Sequence, residues 1–164
     1  MGLRCVIQRV SRAEVRVTGA ATGQVAGGLL VLAAFAADDD EATLRWMAAK
    51  LPSLRVFGDE AGRLNRSLRD IGGGVLLVSQ FTLYGDCRRG QRPSFTRAAA
   101  PEQARGLYER FASLLRAEGI VVAEGLFGAK MEVELVNAGP VTLVVERDAA
   151  AAKADPVTVS PFVP

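Results

Sequence analysis

The sequence predicts an α+β domain: curved, mostly antiparallel and barrel-like β-sheets with two long helices packed on them. Three observations carry this. Residues 13–18, 131–136 and 141–146 alternate with period two, as half-buried strands do. Residues 29–35 and 75–78 are continuously apolar, the pattern of strands buried on both faces. Residues 41–51 and 102–118 place apolar side chains at helical spacing.

From the N-terminus, LRCVIQRV (3–10) and AEVRVT (13–18) read as two strands. Gly19 to Gly28 holds turn residues and a short strand around Gln24-Val25. Leu29 to Phe35 is a central strand. Asp38-Asp39-Asp40 then supplies a helix start, where carboxylates meet the positive end of the helix dipole. The helix runs from Glu41 to Leu51 with Leu44, Met47, Ala48 and Leu51 on one face, and Pro52 ends it. Leu54 to Phe57 is a short strand and Gly58 to Gly62 a turn. Gly72-Gly73-Gly74 has neither the lysine nor the spacing of a P-loop, and reads as a flexible lead into the strand Val75–Val78. That strand runs straight into Ser79-Gln80-Phe81-Thr82. A polar loop follows, and Pro101 suits the first turn of a helix with Leu107, Phe111, Leu114 and Leu115 on one face. Gly119 fits the left-handed position past its end. Ile120 to Val122 and two strands around NAGPVT (137–142), read as a hairpin, complete a domain over residues 1–147. Residues 148–164 are alanine-rich and then proline-punctuated, and are expected as a C-terminal tail, disordered or laid on the surface.

A chain of 164 residues can bury a core without disulfides or metal. Cys5 and Cys87 are too few for a disulfide framework and lack metal-ligand spacing. No apolar run approaches the roughly 18 residues that span a bilayer. Arg4, Arg9 and Arg12 break up any secretory signal. A cytoplasmic protein with reduced thiols and no membrane association is expected. The chain has no histidine. That excludes Ser-His-Asp and Cys-His catalysis and most zinc sites, so no metal or cofactor is implied. An enzyme built this way must use backbone groups, carboxylates, hydroxyls or its substrate. The net charge is only +2, yet Arg63, Arg66, Arg69, Arg88, Arg89, Arg92 and Arg97 face only Asp70 and Asp86 within one segment. Such a patch can bind phosphates or be a solvated face.

Two motifs are candidates for chemistry. In SQFTLYGD (79–86), a buried strand ends in polar side chains and free backbone N–H groups, which can hold an oxyanion. Ser79 and Thr82 would need a base other than histidine to act as nucleophiles. The plain alternative is a strand end whose hydroxyls bond nearby backbone. In NAGPVT, Gly139-Pro140 is either an ordinary turn or a cis peptide whose successive carbonyls form a rigid acceptor pair suited to an ammonium group. Cys87 sits beside Arg88 and Arg89, but no base or second thiol lies near it in sequence.

Together these motifs resemble the D-aminoacyl-tRNA deacylase family. The resemblance continues through IQRVSRAEV (7–15), GLLVL (28–32), Arg55 to Phe57, NRSLRDIGGG (65–74), RRGQRPSF (88–95), LRAEG (115–119) and FGAKMEVELV (127–136). It implies hydrolysis of the ester of D-aminoacyl-tRNA and of mischarged glycyl-tRNA, by a homodimer with its active sites at the interface. It implies a cis Gly139-Pro140 that enters the partner's pocket, accepts from the substrate ammonium and leaves no room for an L side chain. Ser79, Gln80 and Phe81 would seat the terminal adenosine at the tRNA acceptor end. The Phe81 N–H would face the scissile carbonyl, and the ribose 2′-OH would help water attack. Arg9 would fix the Gly-Pro loop, Phe127 and Met131 would lie near the pocket, and Thr82 is a lesser candidate for direct participation. Ala138 stands where many relatives carry a polar residue, and the stretch after Arg147 extends past the usual family end. Two other readings stay open: a non-catalytic nucleic-acid-binding dimer, and a trans Gly-Pro relative that edits L-aminoacyl-tRNA.

Overall fold

The two strands expected at the N-terminus are one. In the computed structural model, which describes residues 2–149, β1 runs unbroken over Leu3–Val17. Leu3, Cys5 and Ile7, then Val10, Ala13 and Val15, are buried. Pairing with β8 (Glu132–Arg147) shifts register between Gln8 and Val10 and again between Val10 and Arg12. A bulge adds residues without ending a strand, so the polar Ser11-Arg12 pair bends β1 where the sequence seemed to break it.

β8 corrects a second expectation. NAGPVT does not reverse the chain, because both expected strands belong to this single strand of 16 residues. Val10 faces Asn137 while Gln8 faces Thr142, so residues 138–141 lie outside the register as a bulge.

On its other edge β1 pairs antiparallel with β3 (Gly28–Ala34) through its first half and with β2 (Ala20–Val25) through its second. β3 then pairs in parallel with β6 (Gly74–Ser79), and β6 with β7 (Val122–Glu124). Parallel neighbours need long crossovers, and the two long helices lie in them. The first, α1 (Glu41–Ser53), falls between β3 and β6. β2 closes back on β7: a Cβ built on Gly23 would sit 2.4 Å from the Glu124 carbonyl oxygen. The sheet is thereby a nearly closed barrel, and only glycine permits the contact.

Between β3 and β6 the chain also forms a small hairpin, β4 (Phe57–Gly58) with β5 (Leu64–Arg66), and a one-turn helix α2 (Leu68–Ile71). Neither β5 nor α2 was expected. α2 is fixed by a capping box between Ser67 and Asp70 and ends on Gly72 at φ 61. The glycine run is therefore a helix cap followed by a strand start.

α1 is capped by the Asp40 side chain, which accepts from Thr43 N–H at 2.9 Å. Pro52 lies in its last turn, and the helix stops one residue later. The other long helix, α3 (Pro101–Ala117), begins on its proline and joins β6 to β7. Alternate residues of β3 and β6 serve two cores. Leu29, Val31, Val75 and Leu77 pack with Leu44, Met47, Phe111 and Leu115 of the helices. Leu30, Leu76 and Val78 pack with Val10, Ala13 and Val15 inside the barrel. Continuous apolar runs follow directly from that double burial. Most of the expected tail, residues 150–164, lies outside the described residues.

Asp39, just ahead of the α1 cap, is buried and accepts the Ala36 N–H at 2.8 Å. Burial, reinforced by the charge of Asp38, pushes its carboxyl up to about 6. In the unfolded chain it titrates near about 4, so folding favours the protonated form and stability from this group falls as pH rises from about 4 to about 6. Asp70, Asp86 and Glu134, held low by Ser67, Arg88 and Arg12, act with the opposite sign.

Two measurements check these points. Asp39→Asn should gain stability over the wild type at about pH 7.5 but not at about pH 4.5 in urea melts, and an equal offset at both would refute the assignment. Gly28→Ala forces a Cβ to 2.0 Å from the Gly74 carbonyl oxygen and should prevent β3 from pairing with β6. Gly106→Ala, in α3 with nothing within 4 Å of its added Cβ, should instead stabilise by about 0.5–1 kcal/mol.

Candidate active site

A pocket of about 700 Å³ opens where β6 ends. The last rung of the β3–β6 ladder is the Gln80 N–H donating to the Ala33 carbonyl at 2.8 Å, after which the chain enters a single 3-10 turn, Phe81–Tyr84. No side chain caps that turn. The first N–H groups of such a turn, those of Phe81 and Thr82, have no partner within it, and Phe81 lines the pocket. The turn is held from beneath. Arg4 donates to the Leu83 carbonyl at 2.7 Å, and the Tyr84 hydroxyl donates to the Gly2 carbonyl.

Ser79, Gln80 and Phe81 line this pocket together with Phe127 and Met131. These five expected residues are thus brought to one place from two separate stretches. Phe81 is 57% exposed, unusual for phenylalanine, and meets Phe95 edge to face at 5.2 Å. Phe127 is wedged between Tyr108, with ring centroids 5.7 Å apart, and Arg105, whose guanidinium carbon is 4.8 Å from its centroid. The Tyr108 hydroxyl is anchored on the Leu77 carbonyl at 3.0 Å. Thr82 is exposed, and its hydroxyl accepts from the Gln80 side-chain amide.

No ionisable side chain lines the pocket among the described residues. Its polar groups are Ser79, Gln80 and backbone. Such a cavity cannot supply strong general acid-base chemistry, but it can orient a polar ligand and stabilise a developing negative oxygen with N–H donors. Nor do the described residues contain a group of three or more His, Cys, Asp or Glu able to hold a metal. Cys87 is exposed on the loop, but its neighbour Arg88 is engaged by Asp86 at 2.5 Å.

Arg9, Gly139 and Pro140 do not line this pocket in their own chain. They form a second cluster at the β1–β8 bulge. Arg9 Nε donates to the Ala138 carbonyl and its Nη1 to the Val56 carbonyl, both at 2.7 Å. Asn137 braces the base, accepting from Val141 N–H at 3.1 Å and donating to the Thr142 hydroxyl at 2.9 Å. The Gly139-Pro140 peptide is cis, and both residues are exposed. Gly139 adopts φ 128, where a side chain is strained, and a Cβ there would lie 2.3 Å from Arg9 Nη2. Beside the bulge, Val136, Leu143 and Val144 of β8 are exposed apolar residues.

A sequence model of the family described as D-Tyr-tRNA(Tyr) deacylase matches residues 6–146. The chain belongs to that family. It is 56% identical to the D-aminoacyl-tRNA deacylase of Deinococcus radiodurans, over 88% of this chain and 99% of the relative. With that of Symbiobacterium thermophilum it shares 55% identity, over 90% of this chain and 98% of the relative. Among solved structures it resembles a c-Myc DNA unwinding element binding protein, with TM-score 0.83 and 38% identity over 89% and 99% of the two chains. It shares its fold with a probable eukaryotic D-amino acid tRNA deacylase, at TM-score 0.74 and 22% identity over 88% and 99%.

Phe95 and Arg105 were not singled out from sequence. An aromatic residue at the end of the polar stretch RRGQRPSF was a usable signal for the first. Arg105 gave none, since arginine on an exposed helix face is ordinary.

Arg9→Ala should speed hydrogen exchange of the amides at 137–142 far more than elsewhere. It should also lower stability by about 1–3 kcal/mol, because two carbonyls lose a charged donor. Unchanged exchange in this segment would show that Arg9 does not hold the bulge.

Proposed function

We propose that the chain hydrolyses the ester bond of D-aminoacyl-tRNA, and of mischarged glycyl-tRNA, releasing free amino acid and tRNA. The observation that carries this reading is the pocket without ionisable walls beside an uncapped turn of N–H donors. An aminoacyl ester is already activated, so it suits a site that offers orientation and an oxyanion donor and no strong base.

In this reading Ser79, Gln80 and Phe81 seat the terminal adenosine, and Phe127 and Met131 wall the cavity. Water adds to the ester carbonyl carbon, and the oxyanion forms against the Phe81 N–H. The bond to the ribose 3′ oxygen then breaks. The water proton passes to that oxygen with help from the neighbouring 2′-OH. No bond to the protein is made, and Thr82 serves the turn through Gln80.

Selection is assigned to the bulge. The carbonyls of Gly139 and Pro140 accept from the substrate ammonium and occupy the space an L side chain would need. Both residues are exposed and absent from the pocket of their own chain, next to the apolar Val136, Leu143 and Val144. A homodimer that buries this face and inserts each bulge into its partner's pocket meets both facts.

A non-catalytic nucleic-acid-binding role is the second reading, favoured by the name of the similar DNA unwinding element binding protein and by the arginine-rich segment. One assay separates the readings. Incubation with D-tyrosyl-, glycyl- and L-tyrosyl-tRNA should release amino acid from the first two and spare the third. Release from none would remove the hydrolase reading, and release from the L-ester would remove D-selectivity. Thr82→Ala should lower turnover by less than about tenfold, whereas near-complete loss would revive a covalent route through its hydroxyl.

A further inference from the structure

α3 carries Arg105, Arg110 and Arg116 at exposed positions. Arg110 pairs with Glu41 and Arg116 with Glu124, both at 2.5 Å. Arg105 has no carboxylate within ion-pair distance among the described residues, although Glu102 and Glu109 lie one turn away on the same helix. Its guanidinium instead lies over the Phe127 ring, 4.8 Å from the centroid. A Cβ built on Gly128 would be 3.8 Å from its Nη2. Phe127 and Gly128 both line the pocket, so this cation stands behind two lining residues without itself lining the pocket.

A guanidinium held over an aromatic ring keeps its N–H groups able to donate. Stacking also restricts a long side chain before any ligand arrives, so less entropy is lost on binding. A fixed, uncompensated fork of this kind matches the geometry of a phosphate.

We propose that Arg105 binds the phosphodiester immediately 5′ of the nucleoside held in the pocket. The inference rests on reading the pocket as the site of an RNA's terminal aminoacylated nucleoside. That nucleoside is tethered to the rest of the RNA through its 5′ phosphate, so the phosphate must pass the pocket's wall. A free cation there offsets its charge and fixes the depth at which the ester sits. Phe127 thus serves both the pocket, which it lines, and the arginine, which it supports.

The test compares two substrates, D-tyrosyl-tRNA and the D-tyrosyl ester of adenosine, which has the nucleoside and no phosphate. Arg105→Ala should raise KM for the tRNA about tenfold, the loss of one charged contact, and leave kcat close to wild type. The salt dependence of log KM should flatten by about 0.7, the value for one contact to a single strand. Cleavage of the adenosine ester should be unchanged, and Arg105→Lys should recover part of the tRNA effect. Equal losses on both substrates would overturn the proposal in favour of simple packing on Phe127. No loss on tRNA would overturn it as well. If the wild type cleaves neither ester, the hydrolase reading fails separately. Binding of uncharged tRNA by the wild type and Arg105→Ala across a salt series then decides the phosphate contact alone, weaker and flatter binding by the variant supporting it and identical curves refuting it.

Discussion

β1 hydrogen-bonds to β8 along one edge and, on the other, to β3 through its first half and β2 through its second. Everything in the site is indexed from this strand. Arg9 leaves it at the bulge to hold Ala138. Its partner β3 supplies the Ala33 carbonyl that makes the last ladder bond to β6 before the donor turn. A slip of one residue would turn Leu3, Cys5 and Ile7 to solvent, so their burial sets the register. The ion pairs Arg4–Glu146 and Arg12–Glu134 lie across the same ladder. The exposed Arg12–Glu134 pair contributes little and tunes a register that the core has already fixed.

The pocket's chemistry is a consequence of what its walls leave out. An ionisable group among Phe127, Met131 and the alanines would be desolvated and would shift towards its neutral form, as Asp39 does elsewhere in the protein. Backbone N–H groups escape this problem. They carry no net charge to desolvate, yet they are fixed dipoles that need not reorganise when an oxyanion forms. Their position depends on the turn, and the turn depends on Arg4 and Tyr84 tying it to the N-terminal end of β1. In a chain without histidine, the proposed oxyanion donors thus sit on a turn tied down by Arg4 and Tyr84.

Elements governed by local pattern were legible in the sequence. β3 and β6 were readable because burial on two faces demands apolar residues at every position. α1 and α3 were readable from their caps and apolar faces. The pocket side chains Ser79, Gln80, Phe81, Phe127 and Met131 were legible through motif, and the structure gathers them. Continuity was not legible. Polar residues at Ser11-Arg12 and turn residues at 137–140 have the same letters whether a chain reverses or bulges, and the difference lies in the partner strand. α2 was missed because one turn has no period to detect, although Ser67 and Asp70 stood at capping-box spacing. Arg105 was invisible because what distinguishes it is the absence, among the described residues, of a carboxylate within ion-pair distance, next to arginines that have one.

Ala138 bears on how selection could be built. What Arg9 holds at this position is a carbonyl, which every residue carries, so a polar side chain here is unnecessary for the contact. Gly139 is different, since any Cβ would strike the arginine that secures the bulge. The proposed filter is therefore made of backbone atoms, positioned by one arginine and one residue that must lack a side chain. Backbone carbonyls do not flex as long side chains do, and exclusion works only if the excluding atoms cannot step aside. A bulge inside a strand that is paired before and after it satisfies that condition better than a hairpin tip. The ladder continues on both sides of residues 138–141 and clamps the carbonyls from two directions.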